Sequence, residues 1–115
     1  MSLRVISTGL QTTIQDLGRH GSAHLGISGS GAADPFSLRS GNLLVGNPEG
    51  EAGIEMTLTG GKYQFEQDAI ISLTGSYFLT ELDGNVFPFH ERTHIKKGQI
   101  MNIGPSQDGA RCYLT

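Results

Sequence analysis

The chain has 115 residues and a formal net charge of −3, with 37% hydrophobic and 17% charged residues. This length suits one domain or part of one, the acidic balance argues against a nucleic-acid-binding face, and no apolar run approaches the ~18 residues of a membrane helix. The lone cysteine, Cys112, rules out an internal disulfide and suits a reducing compartment. The sequence therefore predicts a cytoplasmic protein, with neither nucleic acid nor a membrane as its partner.

The first third of the chain predicts two short strands followed by a shaped loop. Residues 3–6 and 12–15 are rich in apolar or β-branched side chains, and Gly9 separates them. Asp16-Leu17-Gly18 then turns the chain. The loop beyond this turn is too dense in glycine for regular structure, with glycines at positions 21, 26, 29 and 31.

Asp34-Pro35 predicts the start of a helix, because aspartate can cap free backbone N–H groups and proline tolerates the first helical position. The helix should run to about Val45, where Gly46-Asn47-Pro48 ends it. Gly41 weakens the middle of this helix by about 1 kcal/mol of propensity. The side chains predicted to face inward are Phe36, Leu43 and Leu44, and those predicted to face outward are Arg39 and Ser40.

From residue 54 onward the pattern is that of short strands, and Asp83-Gly84-Asn85 marks a hairpin. The predicted strands are residues 54–58, 63–65, 69–73, 77–82, 86–89, 93–96, 99–103 and 110–114. Their number and spacing predict a mainly β fold, a sandwich or barrel, with one short helix near residues 35–45. Cys112 is predicted to be a small buried hydrophobe of the last strand, rather than a catalytic thiol. Because the chain ends directly after this strand, we expect the natural protein to continue beyond Thr115.

Two catalytic patterns occur in contexts that favour simpler interpretations. His90-Glu91-Arg92-Thr93-His94 matches H-E-x-x-H, but zinc binding requires a helix, and the flanking hairpin and Gly98 leave no room for one. We therefore predict no metal site, and exposed histidines on strands and loops. Gly26-Ile27-Ser28-Gly29-Ser30 is close to the G-x-S-x-G nucleophile elbow, yet Gly31-Ala32-Ala33 separates it from the helix. Turn formation is the favoured interpretation.

Two neighbouring segments are candidate ligand sites. The stretch from Gly29 to Asp34 leads into a helix N-terminus, where an anion is favoured, although Asp34 would compete with a phosphate. Gln15-Asp16-Leu17-Gly18-Arg19 gathers an amide, a carboxylate and a guanidinium. Arg19 could bind a carboxylate or phosphate with two hydrogen bonds, or it could pair with Asp16 to fix the turn.

The same segments carry a family resemblance. Gly9-Leu10-Gln11-Thr12-Thr13-Ile14-Gln15-Asp16-Leu17-Gly18-Arg19-His20-Gly21 resembles G-L-x-T-x-x-Q-D-x-G-R-x-G, the opening pattern of the KipA-like family. Members of this family are the C-type subunit of 5-oxoprolinase and allophanate hydrolase subunit 2, and the family resembles the biotin-dependent carboxyltransferase domain of urea carboxylase. Further elements follow in the family's order, namely Ser28-Gly29-Ser30-Gly31-Ala32-Ala33-Asp34, Asn42-Leu43-Leu44-Val45-Gly46-Asn47, Glu55, Thr74-Gly75 and Arg111-Cys112-Tyr113-Leu114.

The resemblance implies that residues 1–115 are the N-terminal part of a longer subunit with a cyclophilin-like β-barrel. It implies an ATP-dependent, nucleotide-binding hydrolase that opens 5-oxoproline to glutamate through a phosphorylated lactam. The implied partners are a KipI-like subunit and often a third 5-oxoprolinase subunit, with ATP bound through the complex. The implied substrate- or phosphate-binding candidates are Gln15, Asp16, Arg19, Gly29, Gly31, Asp34 and Asn42.

Two departures from the family pattern and two rival functions remain. The Ser28-Gly29-Ser30-Gly31 stretch has an extra residue, and Ser76-Tyr77 stands where members often carry Ala-Asp. One rival is carboxyl transfer to a urea- or allophanate-like amide. This chain has no Met-Lys-Met segment, so biotin would then arrive on another protein. The other rival is a non-enzymatic regulatory module that binds a KipI-like protein.

Overall fold

A computed structural model describes residues 3–16 and 31–115. The elements follow one another as β1 (Leu3–Ser7), β2 (Gln11–Gln15), α1 (Pro35–Leu44), β3 (Gly53–Thr57), β4 (Lys62–Phe65), β5 (Ala69–Ile71), β6 (Leu73–Gly75), β7 (Phe78–Leu82), β8 (Asn85–Val86), β9 (Thr93–Ile95), β10 (Ile100–Ser106) and β11 (Arg111–Leu114). The prediction of a mainly β fold with one short helix near residues 35–45 is confirmed.

The described strands form a five-stranded sheet in the order β1-β4-β10-β7-β8, a four-stranded sheet β2-β3-β11-β6 and a two-stranded sheet β5-β9. All the pairings within these sheets are antiparallel. The buried core draws on all three sheets, with members such as Tyr63, Met56 and Ile71. Within the described residues the three sheets do not close into a barrel, and β1 and β2 are edge strands of different sheets.

The predicted strand 69–73 is interrupted at Ser72, where the chain passes from one sheet to another. Ala69–Ile71 pairs with β9, whereas Leu73–Gly75 pairs with β11. The Ser72 amide donates to the Thr115 carbonyl and the Thr115 amide donates to the Ser72 carbonyl, both at 3.1 Å. The backbone groups at the crossing are thus paired, and the apolar run does not mark a single strand.

The predicted hairpin at Asp83-Gly84 is confirmed. Both residues have positive φ, 49° and 84°, which matches the twist of a two-residue turn between β7 and β8. The strand predicted at residues 86–89 is wrong beyond Val86. Pro88 has no N–H to donate to a strand partner, and His90 adopts a φ of 62°, which leaves the β region.

Helix α1 begins directly after the predicted cap residue, Asp34. The face that it buries is opposite to the one that was predicted to be buried. Phe36, Leu43 and Leu44 are 76%, 58% and 36% exposed, so the predicted inward orientation is wrong. The buried residues are Ser37, Leu38, Gly41 and Asn42, while Arg39 is exposed and Ser40 half-buried. The physical reason lies in the sheet surface beneath the helix, which is polar and binds the helix by hydrogen bonds rather than by a broad apolar contact.

Candidate functional site

The surface beneath α1 is one face of the β2-β3-β11-β6 sheet, and its cross-strand rows are polar. Side chains of directly paired residues share a face of a sheet. One row consists of Thr13, Glu55, Tyr113 and Thr74, and the adjacent row of Gln11, Thr57 and Arg111. The alternate residues, among them Met56, Cys112 and Leu114, belong to the hydrophobic core on the other face. The sheet therefore separates an apolar core from a polar surface.

The segment that leads into α1 crosses this polar surface and is held by three consecutive amides. The Ala32 N–H donates to the carbonyl of Asp16 at 2.8 Å. The Ala33 N–H donates to Glu55 Oε2 at 2.9 Å, and the Asp34 N–H donates to Tyr113 Oη at 2.9 Å. The end of β2 and the start of the helix are thereby brought side by side.

Glu55 has a buried carboxylate that forms hydrogen bonds and lies close to an arginine. The Tyr113 hydroxyl donates to Glu55 Oε2 at 2.6 Å, and Arg111 Nε lies 3.8 Å from Glu55 Oε1. Burial, followed by the hydrogen bond to Glu55, raises the pKa of the Tyr113 phenol, so it stays protonated and donates. Because Oε2 already accepts two hydrogen bonds, Glu55 serves as an anchor rather than as a free base.

Asp34 caps the helix with its own carboxylate. Oδ1 accepts the Ser37 N–H at 3.1 Å, and Oδ2 accepts the Ser37 hydroxyl. The amides of Ala33, Asp34 and Ser37 are thus all occupied by protein oxygens. Two carboxylates near the helix start also disfavour a phosphate there.

The sequence-predicted binding residues fall into three groups. Gln15, Asp16, Gly31 and Asp34 lie together, because Asp16 and Ala32 share a backbone hydrogen bond. Within this group the Gln15 side chain donates to Thr13 Oγ1 at 3.1 Å. Arg19 and Gly29 lie outside the described residues, as does the Ser28 of the elbow-like pattern. Asn42 forms the third group.

Asn42 lies on the buried side of α1, where its amide holds the following turn. It is fully buried, and Nδ2 donates to the carbonyls of Glu49 at 3.1 Å and Glu51 at 2.7 Å. These contacts give the Asn42 side chain a structural role, and they do not support its predicted contact with a ligand.

We expect Asn42→Asp to lower the free energy of unfolding by roughly 1–3 kcal/mol, because a carboxylate would face the two carbonyls without a proton to donate. Urea denaturation measures this loss, and Asn102→Asp, at an exposed position of β10, is the control. An unchanged stability combined with weaker substrate binding would instead restore Asn42 as a ligand contact.

The H-E-x-x-H segment is not helical. His90 lies in a bend and His94 in β9, so the two imidazoles do not share a helix face. Within residues 3–16 and 31–115, no group of three His, Cys, Asp or Glu side chains is arranged to hold a metal ion. Cys112 is fully buried in the core, as predicted for a small hydrophobe, and burial raises the pKa of its thiol.

Glu55, Tyr113 and Arg111 were not among the predicted binding residues, although they fall within the family motifs. Glu55 alternates with apolar neighbours in β3, which is the pattern of an exposed polar residue on a half-buried strand. The only feature of the sequence that indicates a role for Glu55 is its place among the ordered motifs of the family. The partners that make it an anchor lie 22 and 58 residues away along the chain.

Comparison with known proteins assigns the family. Residues 25–115 match the family described as carboxyltransferase domain, subdomain A and B. The chain is 41% identical over 112 residues to the C-type subunit of 5-oxoprolinase from Escherichia coli, covering 97% of this chain and 36% of that protein. It is 37% identical over 114 residues to urea amidolyase of Saccharomyces cerevisiae, covering 98% of this chain and 6% of that protein.

Solved structures agree with this assignment. The crystal structure of the K. lactis urea amidolyase superposes with a TM-score of 0.94 at 32% identity, over 98% of this chain and 7% of that one. The chain thus spans about a third of the Escherichia coli 5-oxoprolinase relative and a small part of the urea amidolyases. In the part of the chain that the structure describes, no helix is long and apolar enough to span a membrane. The chain belongs to the carboxyltransferase domain family that includes the C-type subunit of 5-oxoprolinase and the urea amidolyases.

Proposed function

We propose that the chain is part of an ATP-dependent 5-oxoprolinase, which opens the lactam of 5-oxoproline to give glutamate. The observation that carries this proposal is the 41% identity to the C-type subunit of 5-oxoprolinase across 97% of the chain. In this reaction the lactam C–N bond breaks as one water molecule adds to the carbonyl carbon, and a second water molecule is consumed as ATP is converted to ADP and phosphate. The proposed location is the cytoplasm.

We propose that the substrate binds beside the end of β2, where Gln15 and Asp16 lie. In our proposal Gln15, Asp16 and Arg19 contact the lactam or a transferred phosphate, and residues 29–34 form the floor of the site. The exposed carboxylate of Asp16 and the neighbouring amide of Gln15 fit a substrate that has both a lactam N–H and a lactam carbonyl. A KipI-like subunit, often with a third subunit, completes the enzyme, and ATP binds through that complex.

Carboxyl transfer to a urea-like amide is the second candidate. The TM-score of 0.94 with the K. lactis urea amidolyase favours it. The two reactions share a small planar amide as substrate and differ in how the carbonyl is activated. In carboxyl transfer, biotin carried by another protein would deliver the carboxyl group, and the reaction would depend on that carrier.

ATP hydrolysis by the full-length gene product in complex with its KipI-like partner distinguishes these functions. We expect phosphate release that requires 5-oxoproline and yields an equal amount of glutamate. Turnover that requires urea and a biotinylated carrier would replace the proposal with the second candidate. A stable complex with the KipI-like partner that hydrolyses ATP with neither substrate would indicate a regulatory binding module.

A further inference from the structure

The amides of residues 32–34 are fixed by two side chains from different strands and by a carbonyl directly after a third strand. The Asp16 carbonyl follows β2, Glu55 belongs to β3 and Tyr113 belongs to β11. One hydrogen bond would leave the segment free to pivot, whereas three successive bonds to a sheet define both its position and its direction. The segment therefore takes its place from the sheet rather than from its own sequence.

Two of these anchors are buried and joined to each other. Glu55 is 8% exposed and Tyr113 is fully buried, and their side chains are linked by the 2.6 Å hydrogen bond between Tyr113 Oη and Glu55 Oε2. Tyr113 Oη accepts from the Asp34 amide while donating to Glu55, so each group restricts the other. Arg111 compensates the charge of Glu55 from the adjacent row.

We infer that Glu55 and Tyr113 are positioning residues, which hold residues 31–34 beside Asp16 and thereby set the geometry of the substrate site. The inference rests on the proposed function, because Asp16, Gly31 and Asp34 are its predicted binding residues. Glu55 and Tyr113 act through this segment and not on the substrate. A small planar amide has few contacts, so its alignment depends on the placement of each one, and a shift of about 1 Å can lower turnover roughly 100-fold.

Tyr113→Phe and Thr74→Val form a matched pair that tests this inference. Both residues lie in the same cross-strand row and are fully buried. Both hydroxyls also hydrogen-bond α1 or the residue before it. Tyr113 accepts from the Asp34 amide at 2.9 Å, whereas Thr74 donates to the Ser37 carbonyl at 2.7 Å. Tyr113→Phe removes the hydrogen bond to the Asp34 amide and the one to Glu55, and Thr74→Val removes a hydrogen bond to the helix one turn later.

Hydrogen exchange and steady-state kinetics are measured on the full-length protein in complex with its KipI-like partner. We expect Tyr113→Phe to speed amide exchange at residues 33–34 and to lower kcat/KM for 5-oxoproline by ~10–100-fold, while Thr74→Val stays close to the wild type in both. Glu55→Gln keeps an oxygen for the Ala33 amide, so it should retain more activity than Glu55→Ala.

The outcomes separate this inference from the proposed function. Faster exchange in Tyr113→Phe with kinetics like those of Thr74→Val would overturn the inference, because the segment would then lie away from the substrate. Unchanged exchange would overturn it as well. If the wild-type complex hydrolyses ATP only with urea and a biotinylated carrier, the proposed function fails, and the same two variants are compared with urea. If it turns over neither substrate, the proposed function fails and hydrogen exchange alone decides whether the two side chains fix the segment.

Discussion

Raising the pH above 10 should destabilise the protein steeply, with a loss of at most about 4 kcal/mol in the free energy of unfolding per pH unit. The residues responsible are Cys112, Tyr63 and Tyr113, which are all fully buried. Burial raises the pKa of the Cys112 thiol above its ordinary value of 9.0 and the pKa of both phenols above 10.0. The folded protein therefore holds these three protons more tightly than the unfolded chain does.

The sign of the effect follows from this proton balance. Stability changes with pH in proportion to the protons bound by the unfolded state minus those bound by the folded state. Below pH 9 both states hold all three protons, and the full stability is present. As the pH rises from 9 the unfolded chain loses the thiol proton first and then the phenol protons, and each group destabilises the fold by at most about 1.4 kcal/mol per pH unit.

Urea denaturation at several pH values between 8 and 11 measures this slope. Cys112→Ala should abolish the decrease in the free energy of unfolding that begins near pH 9. Tyr63→Phe should make the decrease above pH 10 less steep, because unfolding then releases one proton fewer. Ile103→Val is the control, because it weakens the same core without removing a titrating group and should shift stability equally at every pH. A flat profile up to pH 11 would show that the three protons dissociate in the folded state.

Local chemistry in the sequence was sufficient to locate the helix and most strands. Asp34-Pro35 and Asp83-Gly84 act through their own backbone geometry, so both were predicted and both are found. The alternation of β3 and the apolar composition of β11 likewise depend on short stretches of chain. These features needed no knowledge of what the residues would contact in the folded protein.

The errors arose where the partner is distant in sequence. Phe36 and Leu43 are more apolar than Ser37, Gly41 and Asn42, which α1 buries beside Leu38. The polar sheet surface beneath the helix explains this orientation. The Ser72 crossing depends on Thr115, 43 residues away. The anchor between Glu55 and Tyr113 depends on the register of β3 and β11, which no local pattern reveals.

Gly41→Ala should destabilise the protein by roughly 1–3 kcal/mol, although alanine is the better helix former. A Cβ at position 41 would lie 2.6 Å from Thr115 Oγ1, 3.1 Å from Thr74 Oγ1 and 3.2 Å from Ser72 Oγ. These hydroxyls bond the helix, since Ser72 donates to the Gly41 carbonyl at 3.1 Å and Thr74 donates to the Ser37 carbonyl at 2.7 Å. A methyl group would lift α1 and strain both bonds, and that loss should exceed the propensity gain of about 1 kcal/mol.

Thermal and urea denaturation of Gly41→Ala beside Gly50→Ala tests this argument. A methyl group on Gly50 would have no neighbouring atom within 4 Å, so this substitution should change stability by less than about 0.5 kcal/mol. Adding Thr115→Ala removes the hydroxyl nearest to the new methyl group at position 41, so the double variant should lose less than the sum of the two single losses. If Gly41→Ala is as stable as the wild type, the helix does not pack closely against the hydroxyls of Ser72, Thr74 and Thr115.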